Sequence, residues 1–299
     1  VLRDMPSGNH GRMDGRRKGR KVGLSLLRNP YASLGGGMLP FLPERKVFVP
    51  VFVAARRIFR GMKEFLRLKV YAISDLHMSA AVNKPMNVFG ACWDNYLEKV
   101  VADWKEKVSD DDLVLMPGDF SWAMKPEEVK ADFDLLKDLR GSKVILRGNH
   151  DYWWNTLNQV RSILPEGFYA LQNDALRFGD VIVCGTRGWM CPGAEKLSEH
   201  DTKIYLRETE RLRLSLRKMA EMRGDNDKVV CIMHYPPFNV YREESDFVRL
   251  FIEYGIKTVV YGHLHGKDCR ADKYIKRFGA EFYLVSTDIV DHTLVEIPL

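Results

Sequence analysis

The sequence predicts an α/β domain of alternating buried strands and amphipathic helices, and three observations predict it. Short apolar runs recur at residues 70–73, 113–116, 143–146, 180–184, 228–233 and 258–261. Stretches of helical period separate several of them, the pattern of a layered α/β fold. Five of these runs end in a turn that carries Asp, His or both. Turns at the C-terminal ends of parallel strands are where open α/β sheets place their chemistry.

Taken in order, the strand at 70–73 ends at Ser74-Asp75-Leu76-His77. Residues 92–108 set Trp93, Leu97, Val100, Val101, Trp104 and Val108 mostly three or four apart, which predicts an amphipathic helix. The run 113–116 leads into Pro117-Gly118-Asp119. Pro126 with Glu127 and Glu128 opens a second helix, its apolar face Val129, Phe133, Leu136 and Leu139, stopped at Gly141. The run 143–146 turns at Gly148 and presents Asn149, His150 and Asp151 in succession. The strand at 180–184 ends at Gly185-Thr186-Arg187-Gly188-Trp189, and residues 196–223 read as a long charged helix. The last two such turns are His234-Tyr235-Pro236-Pro237 and Gly262-His263-Leu264-His265, and strand-like runs at 281–286 and 293–297 close the chain. Residues 62–299 are expected to form one domain, with 190–226 as a helical cap insertion over the pocket. The other reading of that helix is a peripheral one with a solvated face.

Composition divides the chain. Of its 299 residues 45% are hydrophobic, ample for a core, and the formal net charge is +6. Residues 1–61 carry 13 Lys/Arg against 3 Asp/Glu, whereas the remainder carries 33 against 37. The body is therefore mildly acidic, which weakens a nucleic-acid reading of the whole-chain charge. The basic leader, with Arg16-Arg17-Lys18-Gly19-Arg20-Lys21 and Gly35-Gly36-Gly37, shows no sustained period. It is expected to be a disordered or non-native extension, Met62 marking the natural start. Five widely spaced cysteines without a Cys-x-x-Cys pair favour a reducing, cytoplasmic setting. The apolar run 47–55 is too short to span a bilayer.

The strand ends together hold Asp75, His77, Asp119, Asn149, His150, Asp151, His234, His263 and His265. Five of the seven histidines of the body fall in these turns; His200 and His292 do not. Imidazole and carboxylate without thiolate suit divalent manganese, iron, zinc or nickel, and manganese is expected first among them. So many donors exceed the needs of one ion, which implies two cations and an anionic bridge between them. A lone carboxylate after glycine, as at Gly118-Asp119, suits that bridge.

The series Asp-x-His, Gly-Asp, Gly-Asn-His-Asp, His, Gly-His-x-His resembles the calcineurin-like metallophosphoesterases over roughly residues 69–270. The resemblance implies two stacked mixed β-sheets flanked by helices, with the metal site at the strand C-terminal ends. It implies that Asp75, His77 and His265 hold one metal, that Asn149, His234 and His263 complete the second, and that Asp119 bridges. The expected reaction is hydrolysis of a small-molecule phosphomonoester or phosphodiester by in-line attack of hydroxide generated by the metals. His150 is expected to protonate the leaving group, supported by Asp151 as the partner that fixes its tautomer; Asp151 also reads as a helix N-cap.

Protein phosphatases of that family usually continue Gly-Asp-x-x-Asp-Arg, where this chain has Gly118-Asp119-Phe120-Ser121-Trp122-Ala123. A serine/threonine protein phosphatase is thereby disfavoured, and Arg187 is the candidate for the missing phosphate contact, with a surface or salt-bridged arginine as the alternative reading. Tyr152, Trp153, Trp154 and Trp189 are read as core rather than as a stacking platform. Two rival readings stand beside hydrolysis: a catalytically silent scaffold of the same fold, and a nuclease using the basic leader as a DNA arm.

Overall fold

The computed structural model describes residues 68–193, 196–266 and 268–299; the basic leader 1–61 lies outside them. In chain order the elements begin with β1 (Val70–Ala72), α1 (Tyr96–Lys107), β2 (Leu113–Met116), α2 (Pro126–Leu136) and β3 (Ser142–Leu146). There follow α3 (Leu157–Ile163), β4 (Phe168–Leu171), β5 (Ala175–Phe178), β6 (Val181–Thr186) and α4 (Glu199–Met222). The chain ends with β7 (Lys228–Met233), α5 (Asp246–Tyr254), β8 (Thr258–Tyr261), β9 (Tyr274–Arg277), β10 (Ala280–Leu284) and β11 (Val295–Glu296).

Two mixed sheets result. The first has the order β11-β1-β2-β3-β4 and the second β5-β6-β7-β8-β10-β9. Strands β1 to β4 run parallel with β11 antiparallel at the edge, and β6, β7, β8 and β10 run parallel between antiparallel β5 and β9. Alternation along each strand sorts the side chains into layers. Val70, Ala72, Leu113, Leu115, Val144 and Leu146 meet Val181, Val183, Val230, Ile232 and Val260 in the core between the sheets. Tyr71, Ile73, Val114, Met116 and Ile145 face the other way, onto Trp104 of α1, Phe133 of α2 and Val160 of α3. The second sheet packs its outer face on Leu212 and Leu216 of α4 and Phe247 and Phe251 of α5.

Three departures from the sequence expectation have local causes. The helix expected from 92 begins at Tyr96, because Ala91–Trp93 forms a 3₁₀ turn and Asn95 takes φ 53°. The helix expected over the pocket, α4, instead lays its stripe of Leu212, Ser215, Leu216 and Met219 against the second sheet, as a flanking layer. Strands β4, β5 and β9 and helices α3 and α5 lie outside the expectation. Of these α5 is legible, since Ser245 caps it by accepting from the Val248 N–H and Gly255 ends it at φ 65°. No helix among the described residues is long and apolar enough to cross a membrane.

Candidate metal centre

The parallel strands of both sheets deliver their C-terminal turns to one edge, and backbone hydrogen bonds stitch those turns together. The Asp75 N–H donates to the Gly118 carbonyl (3.1 Å), and the His77 N–H to the Asp119 carbonyl (2.9 Å). Across the sheets, the Ser74 N–H donates to the Val285 carbonyl (2.8 Å), and within the second sheet the Gly262 N–H donates to the His234 carbonyl (3.1 Å). Glycines sit where the turns nearly touch. A Cβ on Gly148 would stand 2.1 Å from Asp119 Oδ1, and one on Gly262 2.3 Å from Ser74 Oγ.

Asp75, His77, Asp119 and His263 all adopt left-handed backbone, with φ of 56°, 47°, 52° and 71°. Asp and His tolerate that region better than most residues, yet it costs roughly 1 kcal/mol or more apiece. Four such residues among the nine converging at this edge mark strain held for a purpose.

The side chains form two groups that share Asp119. In the first, ligand atoms of Asp75, His77, Asp119 and His265 all lie within 4.8 Å of one another. His77 Nε2 is 3.4 Å from His265 Nε2 and 3.6 Å from Asp119 Oδ2. In the second, His234 Nε2 is 2.7 Å from Asn149 Oδ1 and 3.5 Å from Asp119 Oδ2, and His263 Nδ1 is 3.0 Å from Asn149 Oδ1. Donor atoms about 2.1 Å from a shared cation stand roughly 3.0 to 3.4 Å apart, a range that the closest of these separations bracket.

Orientation fits as well. The other ring nitrogen of His234, Nδ1, lies 3.1 Å from the Pro117 carbonyl. Placing the proton there turns the Nε2 lone pair toward Asn149 and Asp119, the usual outer partner of a metal-ligating imidazole. Asp75 is aimed by the Ser74 hydroxyl (2.6 Å) and the His263 N–H (3.0 Å), and Asp119 Oδ1 by the His150 N–H (2.8 Å). Asp119 Oδ2 is buried without a hydrogen-bond partner. A buried carboxylate oxygen in that state is costly unless a cation meets it.

The electrostatics point the same way. Burial holds His77 and His234 down to about 3 and His263 to about 4, so all three are neutral, lone-pair-bearing rings at physiological pH. Burial, reinforced by the charges of Asp75 and Asp151, pushes metal-free Asp119 up to about 9. Neutral imidazoles beside a carboxylate that lacks its counter-charge are a donor set suited to divalent cations.

Every strand-end residue anticipated from the sequence reaches this edge, but two of the expected roles change. Asp151 touches neither ring nitrogen of His150. Its Oδ2 accepts from the backbone N–H groups of Gly148 (2.7 Å) and Asp119 (3.0 Å). Its Oδ1 accepts from the N–H groups of Phe120 (3.0 Å) and Ser121 (3.2 Å) and the Trp153 indole (3.0 Å). With five donors satisfied it clamps the turn after β3 to the turn after β2, and it caps no helix, since α3 starts behind Thr156. Arg187 is committed in part to a buried carboxylate, its Nε left without a partner. Its guanidinium pairs with buried Glu208 (3.3 Å) and lies over Trp189 (4.9 Å), while its carbonyl accepts from the His234 and Tyr235 N–H groups.

His150 stands at the rim with Nδ1 unpartnered, 4.6 Å from the Trp122 ring and 5.5 Å from His77. Burial, with the Lys84 ammonium second, lowers its pKa. Sequence reasoning missed Lys84, which lies 3.2 Å over the Trp122 ring, and Trp122 itself, stacked on His77 at 4.6 Å. It also missed Glu208, which gathers Arg187, Arg211 and the Thr186 hydroxyl. Lys84 and Glu208 lie in no motif, Trp122 stands where the protein-phosphatase motif has Asp, and only the fold brings the three to the site. Trp153 and Trp154 are core, as read, whereas Tyr152 is 49% exposed beside His150. His292 is structural, with Nε2 2.8 Å from the Cys92 carbonyl.

No curated protein matches the chain. Solved structures do: TT1561 of Thermus thermophilus is 14% identical, covers 77% of this chain and 98% of its own, and superposes with a TM-score of 0.50. A phosphopantetheinyl hydrolase of Mycobacterium tuberculosis is also 14% identical, with 78% and 96% coverage and a TM-score of 0.49. AQ665 of Aquifex aeolicus, titled a protein of unknown function, is 14% identical over 77% and 96%, with a TM-score of 0.40. At that identity the likeness to TT1561 speaks to the fold alone. The family model for calcineurin-like phosphoesterases matches residues 68–267, a span that begins just before β1 and takes in all five motif-bearing turns. With that match over two sheets whose edge gathers Asp75, His77, Asp119 and His265, the chain belongs to the calcineurin-like phosphoesterase family.

Proposed function

We propose that the chain hydrolyses a phosphomonoester or phosphodiester with two divalent cations, manganese first among them. Asp75, His77 and His265 would hold one, Asn149, His234 and His263 the other, and Asp119 would lie between. The observation that carries this is the unpartnered Asp119 Oδ2, 3.6 Å from His77 Nε2 in one group and 3.5 Å from His234 Nε2 in the other. When bound, such a pair activates a water and draws in the phosphoryl oxygens.

The chain's own residues supply the rest. Asp151 clamps the turns that carry Asp119 and Asn149, so the two groups keep their separation as substrate arrives. His150, half-buried beside His77 and Trp122, protonates the leaving oxygen. Burial depresses its basicity, and an anionic substrate close by offsets that by favouring the imidazolium. Lys84 adds positive charge at the same rim, where Arg187 is already committed to Glu208.

A silent scaffold has no use for neutral, buried histidines around an unpartnered carboxylate, so hydrolysis is favoured. Hydrolysis of p-nitrophenyl phosphate and bis(p-nitrophenyl) phosphate with Mn²⁺ tests the reading. Turnover should vanish in Asp119→Asn; equal activity in that variant would refute it.

A further inference from the structure

Beside the metal edge lies a second feature with different chemistry. A cavity of about 450 Å³ is lined by Met190, Tyr235, Phe238, Val240, Tyr241 and His263, among others. That volume falls within the range of small-molecule sites. His263 belongs to both places: its Nδ1 faces Asn149 in the metal centre, while Tyr235 packs on its ring at 4.0 Å. An ester held by its phosphoryl group at the metal edge therefore has this cavity beside it, on the His263 side of the centre.

The floor of the cavity is firm. Tyr235 also packs on Trp189 (4.9 Å), and Phe238 rests on Phe282 (5.3 Å) and Tyr261 (6.0 Å) in the core of the second sheet. The rim is apolar yet open to water, with Val240 90%, Tyr241 64% and Met190 47% exposed. Exposed apolar side chains grouped around a concavity mark a binding surface.

Asn239 joins the two walls and spends its polar groups doing so. Its amide nitrogen donates to the Pro192 carbonyl (2.9 Å) and to Glu243 (2.6 Å). Its oxygen accepts from the Tyr241 N–H (3.0 Å) and the Glu243 N–H (3.2 Å). Arg242, at the turn, pairs with Asp272. The cavity thus offers an occupant mainly apolar and aromatic surface.

Building on the hydrolase reading above, we infer that this cavity is the leaving-group subsite, and that the substrate is a phosphoester of an alcohol bearing an aromatic or hydrocarbon group. Such a group gains by leaving water for the walls of Tyr235, Phe238, Met190 and Val240. Small polar phosphoesters reach the metals but leave the cavity empty.

Equilibrium binding of two non-hydrolysable probes to the Mn²⁺-loaded protein tests this by calorimetry. 1-Naphthylphosphonate should bind at least about tenfold tighter than methylphosphonate, the order of gain expected from burying one ring. The advantage should shrink to within about threefold in a Met190→Asp/Val240→Asp double variant. Both sites are partly or largely exposed, so the fold tolerates the change, and Tyr241→Ser serves as the second variant. Equal affinities in the wild type, an advantage that survives in the variants, or no binding of either probe would overturn the subsite. Turnover of p-nitrophenyl phosphate decides the hydrolase reading separately. An enzyme that hydrolyses esters without aryl preference loses only the subsite, and a protein that prefers the aryl probe without turnover loses only the hydrolase reading.

Discussion

Replacing Asp151 by Asn tests whether this carboxylate is a clamp between two turns or the electrostatic partner of His150. The amide can keep its oxygen toward the Phe120, Ser121 and Trp153 donors, but its NH₂ must then face the N–H groups of Gly148 and Asp119. Two buried donors lose their acceptor at about 1 to 3 kcal/mol each, so the variant should lose about 4 kcal/mol. For a body of this size that lowers the melting temperature by roughly 8 to 16 °C. The same displacement moves the Asp119 backbone, so Mn²⁺ affinity should fall with stability. Thermal denaturation and metal titration of the same preparation measure both effects. A variant that melts within about 2 °C of wild type and binds Mn²⁺ normally, having lost only turnover, would refute the clamp and return Asp151 to a role at His150.

Three further outcomes follow from the geometry. His150→Ala should lower kcat on alkyl phosphates by about 10² to 10⁴, with metal content unchanged and a smaller loss on p-nitrophenyl phosphate, whose leaving group needs no proton; equal losses on both would remove the acid role. In metal-free protein Asp119 titrates near 9 when folded against an ordinary 3.8, so the folded state holds the extra proton and stability falls as pH rises toward 9. Mn²⁺ should flatten that alkaline arm and release about one proton per chain at pH 7. Urea denaturation across pH, and calorimetry in buffers of different ionisation enthalpy, check the two statements. Gly148→Ala should cost more than about 3 kcal/mol and abolish metal binding, because its Cβ would meet Asp119 Oδ1 at 2.1 Å; a stable, metal-binding variant would show that the turns can part.

What the sequence discloses about this site is what strand ends disclose. Parallel strands carry their C-terminal turns to a common edge, so residues from Asp75 to His265 can be assembled before any coordinates, and the structure gathers them. The fold is legible where strands are buried along their whole length, as in β2, β6 and β8. Edge strands such as β5, half-buried, and β9, largely exposed, lack that continuous burial and are not. The errors at the site concern which neighbour a side chain chooses. Asp151 is adjacent to His150 in sequence, yet the backbone N–H groups of the preceding turn reach its oxygens first. Arg187 reads either as a phosphate contact or as a salt-bridged residue because nothing in the sequence connects it with Glu208, which lies well inside α4 and is fully buried. Pairings of that kind depend on the angle at which a helix meets a sheet, which no local pattern encodes.

The most direct test of the account is metal stoichiometry by inductively coupled plasma mass spectrometry after equilibration with Mn²⁺ and removal of excess. The account predicts two manganese ions per wild-type chain and the loss of both in Asp119→Asn. One ion or none in the wild type, or two retained without the Asp119 carboxylate, would contradict it.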